Sequence, residues 1–440
     1  MLIRPFRTLP ALAFFLLSLI ACSKSGSPDE PTINEIVITE ISPTHGPAGT
    51  IERIIGKGFD QIPTIDSVLI NSRKLKLISR KDTEVVVEIP QSTGTGLVQI
   101  WYKGKKITGP VFNYDSVLMV TTIAGDKEAG ARDGQGLDAR FDLIIGIDVD
   151  RAGNIYAADW RNGSIRKITA SGLVTTLAGP LQKYTYGYVD DTGSAARFSE
   201  PTGLKLGPDG NLYVGERQHI RKVSMSGIVN TYAGRSWNRP ENGTIDGHIS
   251  VATFSGVSDL VFDEKGNMFA SEQYNDCIRK ITPDGYVSRY AGLGWGYIGH
   301  ADGPLGTNRF EGPIGVAVLP SGDVYAIDGQ ARQYLRKVTP GGMTSTFLGP
   351  YAPDITGTND LFQASAVAAD KKGNLYFAVS YGIIRMSPDG KFSRFAAGGI
   401  GEIDGPVSTA TFRYITNMVA DDSGNIYLAD YNRIRKIWWK

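Results

Sequence analysis

The side chains best suited to metal or nucleophilic chemistry are sparse in the long C-terminal part of this sequence. Its histidines are His219, His248 and His300, and its cysteine is Cys277. Catalytic zinc needs about three protein ligands converging on one point, with a fourth position left open. The histidines could meet only if neighbouring loops brought them together, and no obvious base stands beside Cys277. No Gly-x-Ser-x-Gly elbow or phosphate-binding loop is present. The sequence therefore predicts no catalytic residue, no metal site and no cofactor.

A recurring acidic position is the second candidate for chemistry. The acids are Asp159, Glu216, Glu272, Asp328 and Asp430, and each precedes an Ile-Arg-Lys or Leu-Arg-Lys triplet. Because acid and arginine recur together, we expect a structural ion pair or a turn hydrogen bond within each repeat rather than catalysis or metal binding. Val379 replaces the acid in the fifth copy, so that pair should be missing there. The repeated Asp-Gly dipeptides are interpreted as turns. Calcium binding there stays open, although the spacing matches no dedicated calcium loop.

Aromatic side chains form the third candidate set, and they favour binding over catalysis. They occur in loops that differ between repeats, where function usually lies on a rigid scaffold. Flat rings with polar tips suit sugar rings or protein partners. The predicted ligand-binding residues are Trp160, Tyr188, Arg217, Trp237, Tyr274, Trp295, Tyr297, Tyr351, Tyr381 and Tyr431.

The elements that position these residues repeat six times. A Gly-Asn or Gly-Asp pair recurs at 153, 210, 266, 322, 373 and 424, at intervals of roughly 50–57 residues. Each copy reads as four strands, which predicts a six-bladed β-propeller over residues 118–440. The outer-strand pattern at 120–125 precedes the first full repeat, and the last repeat lacks one. We therefore expect the first strand to pair with the last blade, with Trp438 and Trp439 packed at that seam. The wording Gly-Asn-Ile-Tyr-x-Ala-Asp…Ile-Arg-Lys-Ile…Ala-Gly resembles the NHL repeat family, which implies this fold.

Residues 33–115 have the period-2 pattern of a small antiparallel sandwich. The segments Ser42-Pro43, Gly46–Thr50, Gly56–Phe59, Ile89-Pro90 and Phe112–Tyr114 resemble the IPT/TIG family of immunoglobulin-like domains. The resemblance implies a spacer or interaction module. The whole chain is thus expected to be all-β, in keeping with its 53 glycines and 10% aromatic residues.

The N-terminus predicts export. Arg4 and Arg7 precede an apolar run that ends in Leu19-Ile20-Ala21-Cys22, which resembles the lipobox of bacterial lipoproteins. The resemblance implies a signal peptide over 1–21, lipid on Cys22 and membrane attachment through it. Residues 22–32 read as a flexible tether. The net charge of +1 gives no footprint for nucleic acid.

Together these features predict a non-catalytic, lipid-anchored envelope protein that captures an extracellular glycan or protein, with a glycan favoured. The combination resembles surface lipoproteins of Bacteroidetes-like bacteria. The expected location is the outer membrane at the cell surface, with a periplasmic orientation as the alternative. A propeller lyase or hydrolase, either metal-dependent or metal-free, and a protein–protein scaffold remain the competing hypotheses.

Overall fold

The computed structural model describes residues 36–440 except 48, 91–92, 183–184, 235–244, 330–332, 350–363 and 380–381. The predicted signal peptide, Cys22 and the tether lie outside this range. The described chain contains no α-helix, so the predicted all-β fold class is confirmed. It divides into two compact units between Tyr114 and Asp115. In this part of the chain, no helix is long and apolar enough to cross a membrane.

The first unit is a sandwich of two sheets that share one apolar core. Its sheets have the strand orders β1-β3-β7-β6 and β2-β9-β8-β4-β5 over the described residues. The core takes Ile54 and Val85 from the first sheet and Ile100 and Phe112 from the second. Its strands are β1 (Val37–Ser42), β2 (His45–Gly46), β3 (Ile51–Lys57), β4 (Ser67–Ile70), β5 (Arg73–Lys74), β6 (Lys76–Lys81), β7 (Glu84–Glu88), β8 (Gly96–Tyr102) and β9 (Lys105–Tyr114), with a 3-10 turn at Phe59–Gln61.

The second unit is a six-bladed propeller, as the repeats predicted. Its described residues form six sheets of four or five strands. Strand β10 (Leu118–Ala124) belongs to the sixth blade. The first three blades comprise β11 (Gly134–Gln135), β12 (Ile144–Val149), β13 (Ile155–Asp159), β14 (Ser164–Ile168), β15 (Leu173–Ala178), β16 (Leu204–Leu206), β17 (Leu212–Gly215), β18 (Ile220–Val223), β19 (Val229–Ala233), β20 (Gly247–His248), β21 (Val257–Phe262), β22 (Met268–Glu272), β23 (Cys277–Ile281) and β24 (Tyr286–Ala291). The last three comprise β25 (Gly315–Val318), β26 (Val324–Asp328), β27 (Tyr334–Val338), β28 (Thr344–Leu348), β29 (Ala364–Ala369), β30 (Leu375–Val379), β31 (Gly382–Met386), β32 (Phe392–Ala397), β33 (Gly405–Pro406), β34 (Ile415–Ala420), β35 (Ile426–Asp430) and β36 (Arg433–Trp439). Short 3-10 turns lie at Gly136–Asp138, Trp160–Asn162 and Gly193–Ala195.

The inner strand of each blade lies at the propeller axis. The inner strands β12, β16, β21, β25, β29 and β34 neighbour one another in a closed cycle. The second strand is the most buried, and all five residues of β13 are inaccessible to solvent, because blades cover both of its faces. A glycine turn joins the two strands: Gly153 has φ +82°, and Asp150 accepts the Ala152 and Asn154 amides. That conformation favours glycine.

The ring closes through the strand that precedes the first full repeat. β10 pairs antiparallel with β36, so the sixth blade is completed from both ends of the propeller sequence. The Trp438 indole donates a hydrogen bond to Thr121 across this seam, at 3.1 Å. Trp439 lies on the same strand but is 53% exposed, so it packs there less than expected. Closure removes two free sheet edges, as predicted.

Each of five blades holds one buried arginine between two acids. The five "buried arginine sites" centre on Arg166, Arg221, Arg279, Arg336 and Arg435, whose side chains are fully inaccessible. In blade one, Nη1 lies 2.8 Å from Asp159 and Nη2 lies 2.6 Å from Asp133. The guanidinium also lies 4.9 Å from the centre of the Phe141 ring. The predicted pairing of acid and arginine is therefore confirmed.

The fifth blade replaces the whole ion pair by apolar residues. Ile384 pairs with Phe377, at the register position where the other blades place the buried arginine. By sequence, Ile384-Arg385-Met386 aligns with the Ile-Arg-Lys triplets of the other copies. The strand pairing corrects this alignment by one residue, because Arg385 occupies the position of Lys167. Val379 stands where the acid would be. Loss of both partners leaves no buried charge unpaired.

The Asp-Gly dipeptides were wrongly interpreted as turns. Gly134, Gly247 and Gly405 lie in short strands that pair with an outer strand, and Gly303 forms an isolated bridge to one. The aspartate of each dipeptide reaches inward to a buried arginine. The pattern recurs because this ion pair is repeated and not because the chain reverses there.

Candidate functional site

One face of the propeller collects the variable loops, and strand register defines it. The start of β12 pairs with the end of β13, since Ile144 faces Asp159. The start of β14 likewise pairs with the end of β15, where Ile165 faces Ala178. The loops that follow second strands and those that lead into inner strands therefore meet on one side. We call this surface the loop face.

Blades six and one meet in an "arginine–aromatic cluster" formed by Trp160, Arg161, Arg413 and Tyr431. The Arg413 guanidinium lies 4.0 Å from the centre of the Tyr431 ring. The Tyr431 side chain also lies close enough to Arg161 to interact with it electrostatically. The Arg161 guanidinium in turn lies 5.8 Å from the centre of the Trp160 ring. Two predicted residues, Trp160 and Tyr431, are thus joined by two arginines. The exposed Tyr414 directly follows Arg413 in the chain.

Blades two and three carry a second group of predicted residues. The Arg217 guanidinium lies 5.5 Å from the ring centre of Tyr274, which is 49% exposed. Tyr188 packs on the His219 imidazole with ring centres 4.7 Å apart. Burial lowers the pKa of His219 to about 4, so this ring is neutral and serves as a packing surface.

The remaining predicted residues stand apart from these groups or outside the described range. Trp295 and Tyr297 share one loop and are 61% and 54% exposed. Trp237, Tyr351 and Tyr381 lie outside the described residues, so no position is assigned to them.

Sequence reasoning missed Arg161, Arg413 and Tyr414. Arg161 directly follows Trp160, and Arg413 follows Phe412, a ring that packs on a buried arginine. Adjacency to these residues was the available signal. The sequence around each arginine did not indicate that Arg413 and Arg161 lie beside the same tyrosine, because that arrangement depends on closure of the propeller.

Four loop-face residues adopt a left-handed backbone without being glycine, namely Leu143, Glu200, Asp276 and Tyr431, and the first two occupy equivalent positions in blades one and two. Leu143 has φ +61° and Glu200 has φ +56°. Each stands two residues after the phenylalanine that packs on the buried arginine, where blades three and four have Gly256 and Gly312. Such a conformation costs about 1 kcal/mol or more in a non-glycine residue. The strain falls beside both groups of predicted ligand-binding residues.

The titratable residues of the loop face form structural contacts. His300 lies between Asp328 and Glu311, 2.9 Å from each, and stacks on Tyr334. Asp328 also binds Arg336 at 3.1 Å, which ties His300 to a buried arginine site. Across the described chain, no three His, Cys, Asp or Glu side chains are grouped as metal ligands would be.

Cys277 lies in the protein interior. Its side chain is inaccessible, and burial raises the pKa of the thiol well above its usual range. A thiol that stays protonated and inaccessible is a poor nucleophile.

The propeller axis contains a mostly apolar cavity of about 230 Å³. Asp148 and Lys205 are its charged lining residues, with their charged atoms 4.0 Å apart. Asp148 accepts the Leu206 amide of the next blade at 2.7 Å. This carboxylate therefore stabilises the contact between adjacent inner strands.

Comparisons with known proteins support the two-part architecture. Residues 37–115 match the family model of the IPT/TIG domain. Among curated proteins, mouse teneurin-3 is 24% identical over 260 residues, which are 52% of this chain and 9% of that protein. Teneurin-3 of Danio rerio is 25% identical over 222 residues, 45% of this chain and 8% of that protein. The matched region is thus a small fraction of these relatives.

Solved structures match over a larger share of the chain. An auxiliary nutrient binding protein from Bacteroides ovatus ATCC 8483 superposes with a TM-score of 0.60 at 16% identity, covering 94% of this chain and 100% of that one. A gluconolactonase from Xanthomonas campestris gives a TM-score of 0.48 at 12% identity, over 73% of this chain and 89% of that one. The first of these likenesses establishes a shared fold.

Proposed function

We propose that this protein captures an extracellular ligand, with a glycan favoured, on the loop face of its propeller and does not transform it. The observation that carries the proposal is the grouping of exposed and half-buried rings with guanidinium groups there, above all the arginine–aromatic cluster, in which Trp160 and Tyr431 are half-buried. Rings of this kind bury much apolar area at little entropic cost, and their polar tips bind hydroxyl groups.

The structural similarity to the Bacteroides ovatus protein adds support. Its description is that of an auxiliary nutrient binding protein, and its chain is fully covered by the superposition. A capture role for this protein agrees with that description. At 16% identity the ligand does not transfer, so the ligand class rests on the residues of this chain.

The proposal includes lipid attachment at Cys22 and display at the outer membrane. It rests on the lipobox-like segment Leu19–Cys22 and the polar tether that follows. Detergent phase partitioning should place the intact protein in the detergent phase and a Cys22→Ala variant in the aqueous phase. Protease treatment of intact cells should remove the protein; survival until the outer membrane is permeabilised would indicate the periplasmic orientation.

A polysaccharide panel tests glycan capture directly. We expect the full-length chain to bind at least one polysaccharide, and a Trp160→Ala/Tyr274→Ala/Trp295→Ala variant to lose that binding. Trp439→Ala is the matched control, because Trp439 is 53% exposed, between Tyr274 and Trp295, but lies at the far end of β36 from the loop face. Binding that survives in the triple variant, or that Trp439→Ala also abolishes, would contradict the assignment of the surface.

Two further results would overturn the proposed role. Failure to bind any polysaccharide would remove the glycan and favour a protein partner. Consumption of a bound polysaccharide, followed by the release of reducing ends or unsaturated products, would show that the protein transforms its ligand.

A further inference from the structure

The propeller holds its arginines in two different ways. In a buried arginine site, every terminal nitrogen is occupied. Arg166 donates to Asp159 and Asp133 and also to the Arg140 and Arg132 carbonyls, all within 3.0 Å. Across the five sites, the terminal nitrogens lie 2.5–3.2 Å from their carboxylate oxygens. These arginines have little donor capacity left for a ligand.

The loop-face arginines are instead held by aromatic rings. Arg161 and Arg413 are 40% and 42% exposed. Their carboxylate partners, Asp142 and Glu402, are each 3.5 Å away, longer than a charge-assisted hydrogen bond. Stacking orients a guanidinium without using its N–H groups. Nη1 of Arg161 contacts Asp142, and Nη1 of Arg413 contacts Glu402 and the Lys127 carbonyl. The other N–H groups of these partly exposed guanidinium groups are left for a ligand.

Arg217 repeats this arrangement on the neighbouring blades. It is exposed and lies over Tyr274, and no carboxylate of the described chain lies within 4.0 Å of it. Arginines held over rings thus occur on blades six, one and two. The loop face of blades three and four instead groups His300 with Asp328 and Glu311, and Asp276 lies close enough to both of these acids to interact with them electrostatically.

The charges around the arginine–aromatic cluster leave a small positive excess. The surrounding acids are used mainly by other arginines: Asp126 lies 3.2 Å from Arg140, and Glu402 lies 3.3 Å from Arg433. The cations of this region are Lys127, Arg140, Arg161, Arg413 and Arg433, and the anions are Asp126, Glu128, Asp142 and Glu402. The cluster is therefore a local recognition site, not a broad basic surface.

We infer that the ligand is an anionic glycan, a polysaccharide whose sugar rings bear carboxylate or sulfate groups. The inference rests on the proposed function and narrows its ligand class. A guanidinium offers two parallel N–H groups to a carboxylate or sulfate. The adjacent ring of Trp160 or Tyr414 offers a flat apolar surface to the sugar that carries the anion.

Matched polymers separate charge from sugar recognition. The full-length chain is titrated with polygalacturonate, dextran sulfate and neutral dextran, and with polyglutamate as a non-glycan polyanion. We expect tight binding of polygalacturonate or dextran sulfate, and whichever binds identifies the anionic group. Dextran and polyglutamate should bind at least about tenfold more weakly, because each lacks one of the two features that the cluster recognises.

Side-chain variants assign the effect to the cluster. Arg161→Gln/Arg413→Gln should weaken binding of the acidic polysaccharide by about tenfold or more, with the melting temperature unchanged. Arg161→Lys keeps the charge but loses the planar fork, so it should also bind more weakly, whereas a merely electrostatic role predicts no change. Arg151→Gln is the control, because Arg151 is exposed in a turn at the opposite end of β12.

The contrary outcomes are distinct. Equal binding of dextran and the acidic polysaccharides, unaffected by the arginine variants but lost in Trp160→Ala, would overturn the anionic class and leave glycan capture intact. Polyglutamate binding as tightly as polygalacturonate would overturn sugar recognition. No binding of any polysaccharide would overturn the proposed function together with this inference.

Discussion

Asp159 provides the sharpest test of how the blades are held together. Its carboxylate is fully buried and accepts three hydrogen bonds, each of 2.8 Å, from the Asp142 amide, the Asn162 side chain and Arg166. The fifth blade shows the alternative, with Val379 and Ile384 in place of acid and arginine. Two variants introduce the residues of the fifth blade into the first: Asp159→Val replaces the acid alone, and Asp159→Val/Arg166→Ile replaces both partners.

The expected magnitudes differ because only the single variant leaves a buried charge. Asp159→Val keeps the Arg166 guanidinium inaccessible and removes one of its two acids. Breaking a buried ion pair in this way costs about 3–5 kcal/mol. The double variant removes the charge as well. Its remaining cost comes from the groups that lose a partner, which are the Asp142 amide, the Asn162 side chain, Asp133 and the Arg132 and Arg140 carbonyls, on the order of 1–3 kcal/mol for a group that stays buried and unsatisfied. We therefore expect the double variant to be more stable than the single one.

Urea unfolding followed by tryptophan fluorescence measures both losses, provided that the dependence on urea is the same for each variant. Asp138→Val is the matched control, because Asp138 is exposed in the same blade, and it should change stability by less than about 0.5 kcal/mol. The reasoning is refuted if Asp159→Val costs less than about 1 kcal/mol, or if Arg166→Ile adds its full cost to that of Asp159→Val, since either result means that the two charges are not coupled.

Two further predictions concern pH. Burial raises the pKa of Glu52 in the first unit from 4.5 to about 7, and neither of its carboxyl oxygens has a hydrogen-bond partner. The native state therefore holds a proton that the unfolded state loses, so the free energy of unfolding should fall by on the order of 3 kcal/mol between about pH 4.5 and 7. Glu52→Gln should flatten this pH dependence of stability, and an unchanged pH dependence would contradict its assignment to Glu52. Burial of His300 opposes its charge, but hydrogen bonds to Asp328 and Glu311 outweigh it and raise the pKa of the imidazole. Its contribution should be complete below pH 6.5 and disappear as pH rises through the folded pKa; NMR titration of the ring should give a midpoint above 6.5, and a lower midpoint would refute the pairing.

The sequence predicted the scaffold well because the scaffold repeats. Each blade has a glycine turn and a buried second strand, and five of the six have a buried arginine facing an acid. The residue types that form these features therefore recur from repeat to repeat. Even the closing contact between β10 and β36 was predictable, because an unpaired outer strand at one end matched a missing one at the other. The fifth blade was misaligned by one residue because its arginine, Arg385, stands next to the position that it was expected to fill.

The candidate site was less predictable because it does not repeat. Arg161 and Arg413 come from opposite ends of the propeller sequence and meet at Tyr431 only because blade six closes on blade one. A single sequence shows which loops contain aromatic residues. Which side chains share a surface depends on how the six blades close into a propeller. The prediction of turns at the Asp-Gly dipeptides was wrong for a related reason. Their aspartates pair with buried arginines that are far away in the sequence.

The buried arginine sites also explain how such a variable surface is held in place. In each site, the acid at the end of the second strand has two carboxylate oxygens with different partners. In blade six, one oxygen of Asp430 binds Arg435 at 2.9 Å, while the other accepts the backbone amides of Arg413 and Tyr414 at 2.9 and 2.8 Å. The loop is thus fixed through its backbone, which every residue possesses, and its side chains remain free to differ between blades. The same acid that stabilises the blade therefore positions Arg413 on the loop face, so a change at Asp430 should disturb stability and ligand capture together, whereas Arg413→Gln should disturb capture alone.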